Sequence, residues 1–461
     1  MSRRICSSSR NSGWITSKGA AGAVADIEDR VRRGEVGSVP GGLELARLRE
    51  LQTMAVEESP HGIPLIFTLD VIHGHRTIFP LPVALAGAFD TDLVGRTARA
   101  AAIEGAASGV MLAWAPMLDV SRDARWGRCA ESPGEDPLVG AAFAQAMIDG
   151  YQQDDLTRAD TMMACAKHFA GYGFAEAGRD YNAVDASAWR MHNVVLPPFK
   201  RAVEAGVGAV MVGFHDLAGI PCTAHRELLH GLLRGLWGFD GLVVSDYTAI
   251  MELVHHGVAE TEKEAAYLAF RAGVDIDLVG ECYSRYLAAL VAEGRIAERD
   301  VDAACRRILH AKEKLGLFDN PYRGLDEDMR LAVTLTPQTR RLAREAAAKS
   351  CVLLKNDGVL PLARDRTIAL VGPLADSRGN MQGTWAVAAR AEDSVTVREG
   401  LGGAFDRVLY AKGANIVDDA AVAARLNLFG ETVTIDPPEA LIAEAVEQAN
   451  KADIVVACVG E

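Results

Sequence analysis

Six short runs of apolar residues recur along the chain, and each run ends at a polar or charged residue. The runs are continuous rather than alternating, which is typical of strands that are buried on both faces of a parallel sheet. The intervals between them are roughly 30 to 50 residues, long enough for a crossover helix and a loop. This pattern restricts the fold to a parallel α/β architecture. The runs are 65–68, 110–115, 162–166, 209–212, 241–244 and 273–276.

The segments between the runs carry helical patterns. Residues 91–107 and 260–272 are rich in Ala and Glu, with apolar residues spaced three and four apart. Repeated β-α units of this kind predict a (β/α)8-type TIM barrel, in which polar residues at the strand ends gather over one pocket. An open doubly wound sheet is the alternative that the same pattern allows. The sequence has no G-x-G-x-x-G turn, which favours the barrel.

A second α/β unit follows the predicted barrel. Residues 318–324 indicate a turn and linker, and a helix is predicted over 336–350, with Thr336 as its N-cap and Pro337 at its first position. Strands are predicted at 351–354, 368–371 and 454–459, the last of which ends two residues before the end of the chain. We therefore expect the second domain to be incomplete. The predicted divisions are an atypical N-terminal segment at 1–40, the barrel at 41–318, a linker and helix at 319–347, and a partial α/β sandwich at 348–461.

Composition narrows the choice of partners. The net charge of −14 argues against nucleic acid or an anionic membrane surface, and it favours a neutral or cationic small substrate. The eight cysteines include no C-x-x-C pair, which argues against a zinc ribbon or a thioredoxin-type site. No apolar stretch reaches the ~18 residues that a membrane span needs. The opening Met1-Ser2-Arg3-Arg4 is not followed by the apolar segment of a signal peptide, so the default expectation is the cytoplasm.

Two histidine pairs are possible metal ligands. His73 and His75 flank one glycine, and His255 and His256 are adjacent, but neither pair has a carboxylate or cysteine at a matching spacing. The sequence therefore predicts neither a metal nor another cofactor. The G-x-x-x-x-G-K-[ST] phosphate loop and the G-x-S-x-G elbow of serine hydrolases are also missing from the sequence.

Charged residues at the predicted strand ends are the candidate site. Carboxylates and cations that share a pocket suit a polyhydroxyl ligand, because hydroxyl groups both donate and accept hydrogen bonds. For each residue taken alone, the alternative to a role in ligand binding is a structural salt bridge or a helix N-cap. Asp246 directly follows a predicted strand, and a rigidly held carboxylate can attack an anomeric carbon. The candidates are Asp70, Asp119, Arg128, Lys167, His168 and Asp246.

Taken in order, several motifs resemble glycoside hydrolase family 3, and most of all its bacterial β-glucosidases with a barrel followed by an α/β sandwich. The resemblance covers residues from about 60 to the end of the chain. Any one of these motifs is weak evidence for the family, whereas their combination in this order is specific to it. The stretches are TLDVIHG at 68–74, WAPMLDVSRD at 114–123, RWGR at 125–128 continuing through Glu131 to GEDP at 134–137, KHFAGYG at 167–173, GFDGLVVSD at 238–246 and VLLKN at 352–356.

The resemblance implies retaining hydrolysis of terminal β-D-glucosyl residues of short β-glucosides, with Asp246 as the nucleophile. It places Asp70, Arg128, Lys167 and His168 at the positions that hold the sugar. A second carboxyl group would act as acid and then as base. We expect Lys167 and Arg128 to keep Asp246 ionised, since nearby cations lower the pKa of a carboxyl group.

The sequence also departs from the family pattern. In relatives with a sandwich domain the acid/base Glu lies beyond the strand that ends here at Val459-Gly460-Glu461, so the expectation is a missing acid and impaired activity. Phe214 stands where many relatives carry Tyr. Tyr247 and Trp385 would line the leaving-group subsite, with ordinary packing as their alternative. Residues 1–40 are expected to lack the usual opening amphipathic helix, and relatives of this type are often periplasmic.

Three alternatives remain for the function. A β-xylosidase of the same family would use the same residues, because the sequence does not determine the preferred sugar. A sugar-binding fragment without turnover would keep the pocket but consume no glycoside. A nucleotide-binding barrel or dehydrogenase is disfavoured by the missing glycine-rich motif.

Overall fold

The computed structural model describes residues 21–426 and 433–460. The chain divides into two compact units, of which the first comprises Met1–Cys351 with Thr384–Ala388, and the second comprises Val352–Gly383 with Ala389–Glu461. Within the described residues, no helix is long and apolar enough to cross a membrane. The narrower domain boundaries inferred from the sequence stay a prediction.

A parallel six-stranded sheet forms the centre of the first unit, in the order β1-β2-β3-β4-β5-β8. All residues of β2, β4, β5 and β8 are buried, as expected of strands covered on both faces. A short antiparallel pair, β6 with β7, follows β5. The strands are β1 Ser38–Pro40, β2 Ile66–Leu69, β3 Leu112–Ala113, β4 Met163–Phe169, β5 Ala209–Val212, β6 Asp216–Leu217, β7 Ile220–Pro221 and β8 Leu242–Val244.

Five of the six predicted runs are strands of this sheet. The sixth run, 273–276, joins it through a single parallel bridge between Val244 and Ile276. The two-domain parallel α/β architecture predicted from the sequence is therefore confirmed. Closure into an eight-stranded barrel stays a prediction, since the described sheet contains six strands.

Helices connect these strands in the first unit. They are α1 Ala21–Arg32, α2 Leu45–Thr53, α3 Pro82–Gly87, α4 Thr91–Ala107, α5 Pro137–Gln152, α6 Ala188–Arg190, α7 Leu196–Glu204, α8 Glu252–His255, α9 Glu262–Ala272, α10 Cys282–Ala292, α11 Glu298–Lys314, α12 Glu327–Val333 and α13 Pro337–Ser350. Wider π-helical turns add Met54–Glu58, Met191–Val195 and Glu227–Leu236.

Capping residues explain where three of the predicted helices begin. Helix α4 covers the predicted residues and begins after Asp90, whose side chain accepts a hydrogen bond from the backbone N–H of Leu93. Helix α9 begins two residues later than predicted, because Thr261 caps it. Thr336 caps α13 by accepting from the backbone N–H of Thr339, as its sequence position predicts.

The expectation that the N-terminal segment lacks an opening helix is wrong for residues 21–40. Helix α1 buries Ile27 and Val31, which lie one turn apart, and β1 pairs in parallel register with β2. A three-residue strand with one buried side chain has too little periodicity to be recognised from sequence. Residues 1–20 lie outside the described residues.

The second unit contains a three-stranded parallel sheet in the order β10-β9-β11. The sequence did not predict β10, and the strand that it predicted at 351–354 is wrong. Leu354 is 91% exposed, and this segment pairs with no described strand. An apolar run becomes a strand only where a neighbouring edge offers hydrogen bonds. The elements are β9 Ile368–Val371, α14 Val397–Gly402, β10 Val408–Ala411, α15 Ala420–Leu426, α16 Pro438–Ala449 and β11 Ile454–Ala457.

The predicted turn at 318–324 is a turn that is fixed to the first unit by one buried arginine. Arg323 is 5% exposed. Its guanidinium donates to the backbone carbonyl oxygens of Leu315 at 2.7 Å and Thr161 at 2.9 Å, and also to those of Leu156 and Arg158. A guanidinium supplies five donors in a fixed plane, so one side chain satisfies four carbonyl groups, of which those of Leu315 and Thr161 are in buried contacts.

The Arg323→Met variant is expected to lower the free energy of unfolding by about 3 kcal/mol, because it leaves buried carbonyl groups without a donor. Urea unfolding followed by circular dichroism measures the change. Arg299→Met is the control, since the side chain of Arg299 is 89% exposed. Equal urea concentrations at the unfolding midpoint for the two variants would contradict the anchoring role of Arg323.

Candidate active site

A cavity of about 420 Å³ lies at the carboxyl edge of the large sheet. Side chains reach it from the ends of several parallel strands, which is where this architecture concentrates its polar groups. Asp119 does not line the cavity but lies directly behind His168. The sequence-predicted residues that line it are Asp70, Arg128, Lys167, His168, Phe214, Asp246, Tyr247 and Trp385.

Asp246 presents one bound and one unbound oxygen. It follows β8 by two positions and is 8% exposed. Its Oδ1 accepts a hydrogen bond of 2.7 Å from the backbone N–H of Tyr247. Its Oδ2 is buried and has no hydrogen-bond partner among the described residues. The carboxylate is thus fixed through one oxygen while the other keeps its lone pairs available.

Burial determines the direction in which the pKa of Asp246 shifts from its ordinary value. Loss of water raises the pKa to about 6, while the charges of Arg128 and Lys167 lower it in part. Arg128 and Lys167 act in the expected direction, since both lower this pKa, but burial outweighs them and the net pKa lies above its ordinary value. A pKa near 6 still leaves the carboxyl group mostly ionised at neutral pH.

Lys167 and Asp70 form a buried ion pair at the floor of the cavity. Lys167 Nζ donates to Asp70 Oδ1 at 2.5 Å, and the two side chains are 4% and 9% exposed. Burial raises the pKa of Asp70, and the Lys167 charge opposes that rise. The Lys167 ammonium also lies 5.6 Å from the centre of the Trp385 ring, within the range of a cation–π contact.

Arg128 is held by a carboxylate and faces a histidine. Its Nε and Nη2 donate to the two carboxylate oxygens of Glu131 at 2.8 and 3.1 Å. Nη2 also lies 2.8 Å from His168 Nε2. Burial, followed by the charges of Arg128 and Lys167, lowers the pKa of His168 well below its ordinary value, so this ring is neutral.

Aromatic side chains form one wall of the cavity and its mouth. Phe214 is buried, and its ring centre lies 4.6 Å from that of Tyr181, which is half exposed. Trp385 is 37% exposed, next to Thr384, whose carbonyl oxygen lies 2.6 Å from His73 Nε2. That contact ties the Thr384–Ala388 segment to the loop after β2.

One histidine of each candidate metal-binding pair, His73 and His256, contacts backbone carbonyl oxygens instead. Both ring nitrogens of His73 lie at backbone carbonyl oxygens, and His256 Nε2 lies 3.0 Å from the carbonyl oxygen of Phe214. Burial lowers the pKa of His75 to about 3. Within residues 21–426 and 433–460, no cluster of three or more His, Cys, Asp or Glu side chains is arranged to hold a metal ion.

Sequence reasoning did not name as site residues several polar residues that line the cavity, among them Glu131, Asp180 and Tyr181. Glu131 lies three positions after Arg128, a spacing that could have indicated the pair. Asp180 accepts a hydrogen bond of 2.9 Å from Trp126 Nε1, and Tyr181 follows it in a loop without a periodic signal. That loop approaches the cavity through tertiary packing alone.

The sequence matches family models along most of its length. The model of the glycosyl hydrolase family 3 N-terminal domain matches residues 23–311, and that of the C-terminal domain matches residues 351–461. The chain belongs to glycoside hydrolase family 3. Its resemblance to that family, inferred from ordered motifs, is thereby confirmed.

Individual relatives agree with this assignment. The periplasmic beta-glucosidase of Salmonella typhimurium is 42% identical over 94% of this chain, and a beta-xylosidase of Formosa agariphila is 37% identical over 79%. The chain spans 58% and 53% of the lengths of these two relatives. A beta-glucosidase from Listeria innocua, solved in complex with glucose, superposes with a TM-score of 0.88 at 36% identity. That superposition covers 100% of this chain and 62% of the Listeria chain.

The Lys167→Met variant is expected to lower the free energy of unfolding by about 3–5 kcal/mol, because it leaves Asp70 buried without a cation. The double variant Asp70→Asn/Lys167→Met should recover part of that loss, since it removes the unpaired charge. Urea unfolding of the unsubstituted protein, the two single variants and the double variant measures the coupling free energy between the two side chains. The control is Lys355→Met, whose side chain is 79% exposed. A Lys167→Met cost no greater than that of the control would rule out a coupled buried pair.

Proposed function

We propose that this glycoside hydrolase is a retaining, exo-acting β-glucosidase that uses Asp246 as its nucleophile. The observation that carries the proposal is the buried, unpartnered Oδ2 of Asp246 in a cavity lined by Arg128 and Lys167. The Salmonella relative is named a periplasmic beta-glucosidase, and the Listeria structure contains glucose. Both descriptions support a glucoside as the substrate.

The polar groups of the cavity suit a single terminal sugar ring. Asp70 offers carboxylate acceptors, and Lys167 and Arg128 offer charged donors. Such charge-assisted hydrogen bonds fix the orientation of hydroxyl groups. We propose that these residues and His168 hold the glucosyl hydroxyl groups, while Tyr247 and Trp385 contact the leaving group at the mouth of the cavity. A ring held in this way would present C1 to Asp246.

The proposed reaction has two displacements at C1. Asp246 Oδ2 forms a bond to C1 as the C1–O bond to the aglycone breaks, and the departing oxygen takes the electron pair and a proton from a general acid. Water then attacks C1 and gives a proton to the conjugate base of that acid, and Asp246 leaves as the carboxylate, with glucose as the product. Lys167 and Arg128 would stabilise the Asp246 carboxylate before the first displacement and after the second. We assign no described residue to the role of general acid.

An activated 2-fluoro-β-glucoside with a dinitrophenolate leaving group is expected to label Asp246 covalently. Dinitrophenolate departs without a proton, so the experiment does not depend on the identity of the general acid. Mass spectrometry of the digested protein locates the ester. Asp246→Asn should give no adduct, whereas labelling at another residue would reject the nucleophile assignment.

The same experiment separates the alternative functions. The matching 2-fluoro-β-xyloside should label more slowly if the enzyme is a glucosidase. Faster labelling by the xyloside would favour a β-xylosidase, the name carried by the Formosa relative. Saturable binding of glucose without any adduct would favour a sugar-binding protein that does not turn over.

The rate of labelling is expected to fall as the pH decreases through about 6, because the pKa of Asp246 is raised to about 6 and only the carboxylate attacks. Lys167→Met removes a cation that lowers this pKa, so the midpoint should move to higher pH. The second-order labelling rate, measured against pH, tests both statements, with Lys355→Met as the control. A midpoint that stayed unchanged or moved to lower pH in Lys167→Met would contradict the electrostatic account.

A further inference from the structure

We infer that Asp119 is a positioning residue that sets the tautomer of His168 and thereby keeps a hydrogen-bond donor away from Asp246 Oδ2. The hydrogen-bond part of this inference stands on the geometry of the described residues. Its consequence for the reaction rests on the proposed function. Asp119 does not line the cavity, so it would act only through the histidine.

Asp119 contacts His168 twice with one oxygen. Its Oδ2 accepts a hydrogen bond of 3.0 Å from the backbone N–H of His168 and lies 2.8 Å from Nδ1 of the ring. Asp119 is 1% exposed and the His168 side chain is also 1% exposed, so water does not compete for these contacts. An oxygen that accepts from the backbone N–H is oriented to accept from Nδ1–H as well.

The contact on the opposite side of the His168 ring requires the same tautomer. Arg128 Nη2 lies 2.8 Å from His168 Nε2, and a guanidinium can only donate. His168 Nε2 must therefore accept, which leaves the hydrogen on Nδ1 facing Asp119. Glu131 holds the guanidinium in place through two hydrogen bonds. The tautomer is thus fixed from both sides of the imidazole.

The tautomer matters because Asp246 Oδ2 lies 3.4 Å from the same His168 Nε2. A hydrogen on Nε2 would point between a guanidinium donor and the unpartnered carboxylate oxygen, and it would bind the oxygen. A hydrogen bond to that oxygen stabilises the carboxylate and withdraws lone-pair density from the reacting atom. With the hydrogen on Nδ1, the oxygen that is proposed to attack C1 keeps both lone pairs.

The tautomer can be measured directly on protein labelled with ¹⁵N-histidine, because the ¹⁵N shifts distinguish protonated from unprotonated ring nitrogens. His168→Gln assigns the signals among the 11 histidines. In the unsubstituted protein we expect His168 with a protonated Nδ1 and an unprotonated Nε2. A protonated Nε2 would overturn the inference, whatever the activity of the protein.

Two substitutions of Asp119 test its role. Asp119→Asn can turn its carbonyl oxygen toward both donors, so the Nδ1–H tautomer should persist and labelling of Asp246 should be largely retained. Asp119→Ala removes the acceptor, so an Nε2–H population should appear and the labelling rate should fall roughly 10- to 100-fold. The concentration of fluoroglucoside that gives half-maximal labelling should change less than the rate.

Equal losses of rate and binding in Asp119→Ala, with an unchanged His168 tautomer, would assign Asp119 a merely structural role and overturn the inference. If Asp119→Ala does not fold, the tautomer of the unsubstituted protein and of Asp119→Asn still decides the question. The expected tautomers together with no labelling by any glycoside would support the hydrogen-bond inference and reject the proposed function. The two failures are therefore distinguishable.

Discussion

The free-energy cost of removing charged groups from water determines how the charged residues of the cavity are arranged. A buried charge is unfavourable unless an opposite charge or a set of hydrogen bonds compensates for it. Lys167 is compensated by Asp70 and Arg128 by Glu131, each through a direct ion pair. Asp246 is the exception, because it keeps one buried oxygen without a partner. The site thus pairs two cations with carboxylates and leaves one carboxylate incompletely satisfied, which is consistent with the role of nucleophile proposed for Asp246.

The neutral imidazole of His168 connects these charges without adding another. A protonated ring would bring an N–H group against the Arg128 guanidinium, and burial already disfavours that charge. As a neutral ring, His168 accepts from Arg128 and faces Asp119 on its other side. Its orientation is then determined by groups on separate loops, so the geometry around Asp246 depends on the packed tertiary structure rather than on any one segment. Such preorganised polar surroundings require little rearrangement during a reaction.

The polar floor and the aromatic rim of the cavity suggest a division of roles in the proposed function. The charged residues at the floor suit any pyranose with equatorial hydroxyl groups, and relatives named β-glucosidase and β-xylosidase both occur. Discrimination between those sugars would then depend on the wall, where Phe214 and Tyr181 pack together. Phe214 has no hydroxyl group, so it would contribute to that discrimination by shape. Specificity that rests on shape alone is modest, of the order of 1–3 kcal/mol per methylene-sized group.

The sequence by itself determined the parallel α/β class, five of the strands in the large sheet, the Thr336 cap and the family, because apolar runs, caps and ordered motifs are local signals. It also named eight of the residues that the structure brings to one cavity. Only the tertiary structure decided that β1 joins the sheet, that 351–354 does not form a strand, and that Tyr181 reaches the cavity. The tertiary structure alone also decided that the pKa of Asp246 rises. Desolvation depends on all the neighbours that folding brings around the carboxyl group from distant parts of the chain, and a local sequence pattern does not identify those neighbours.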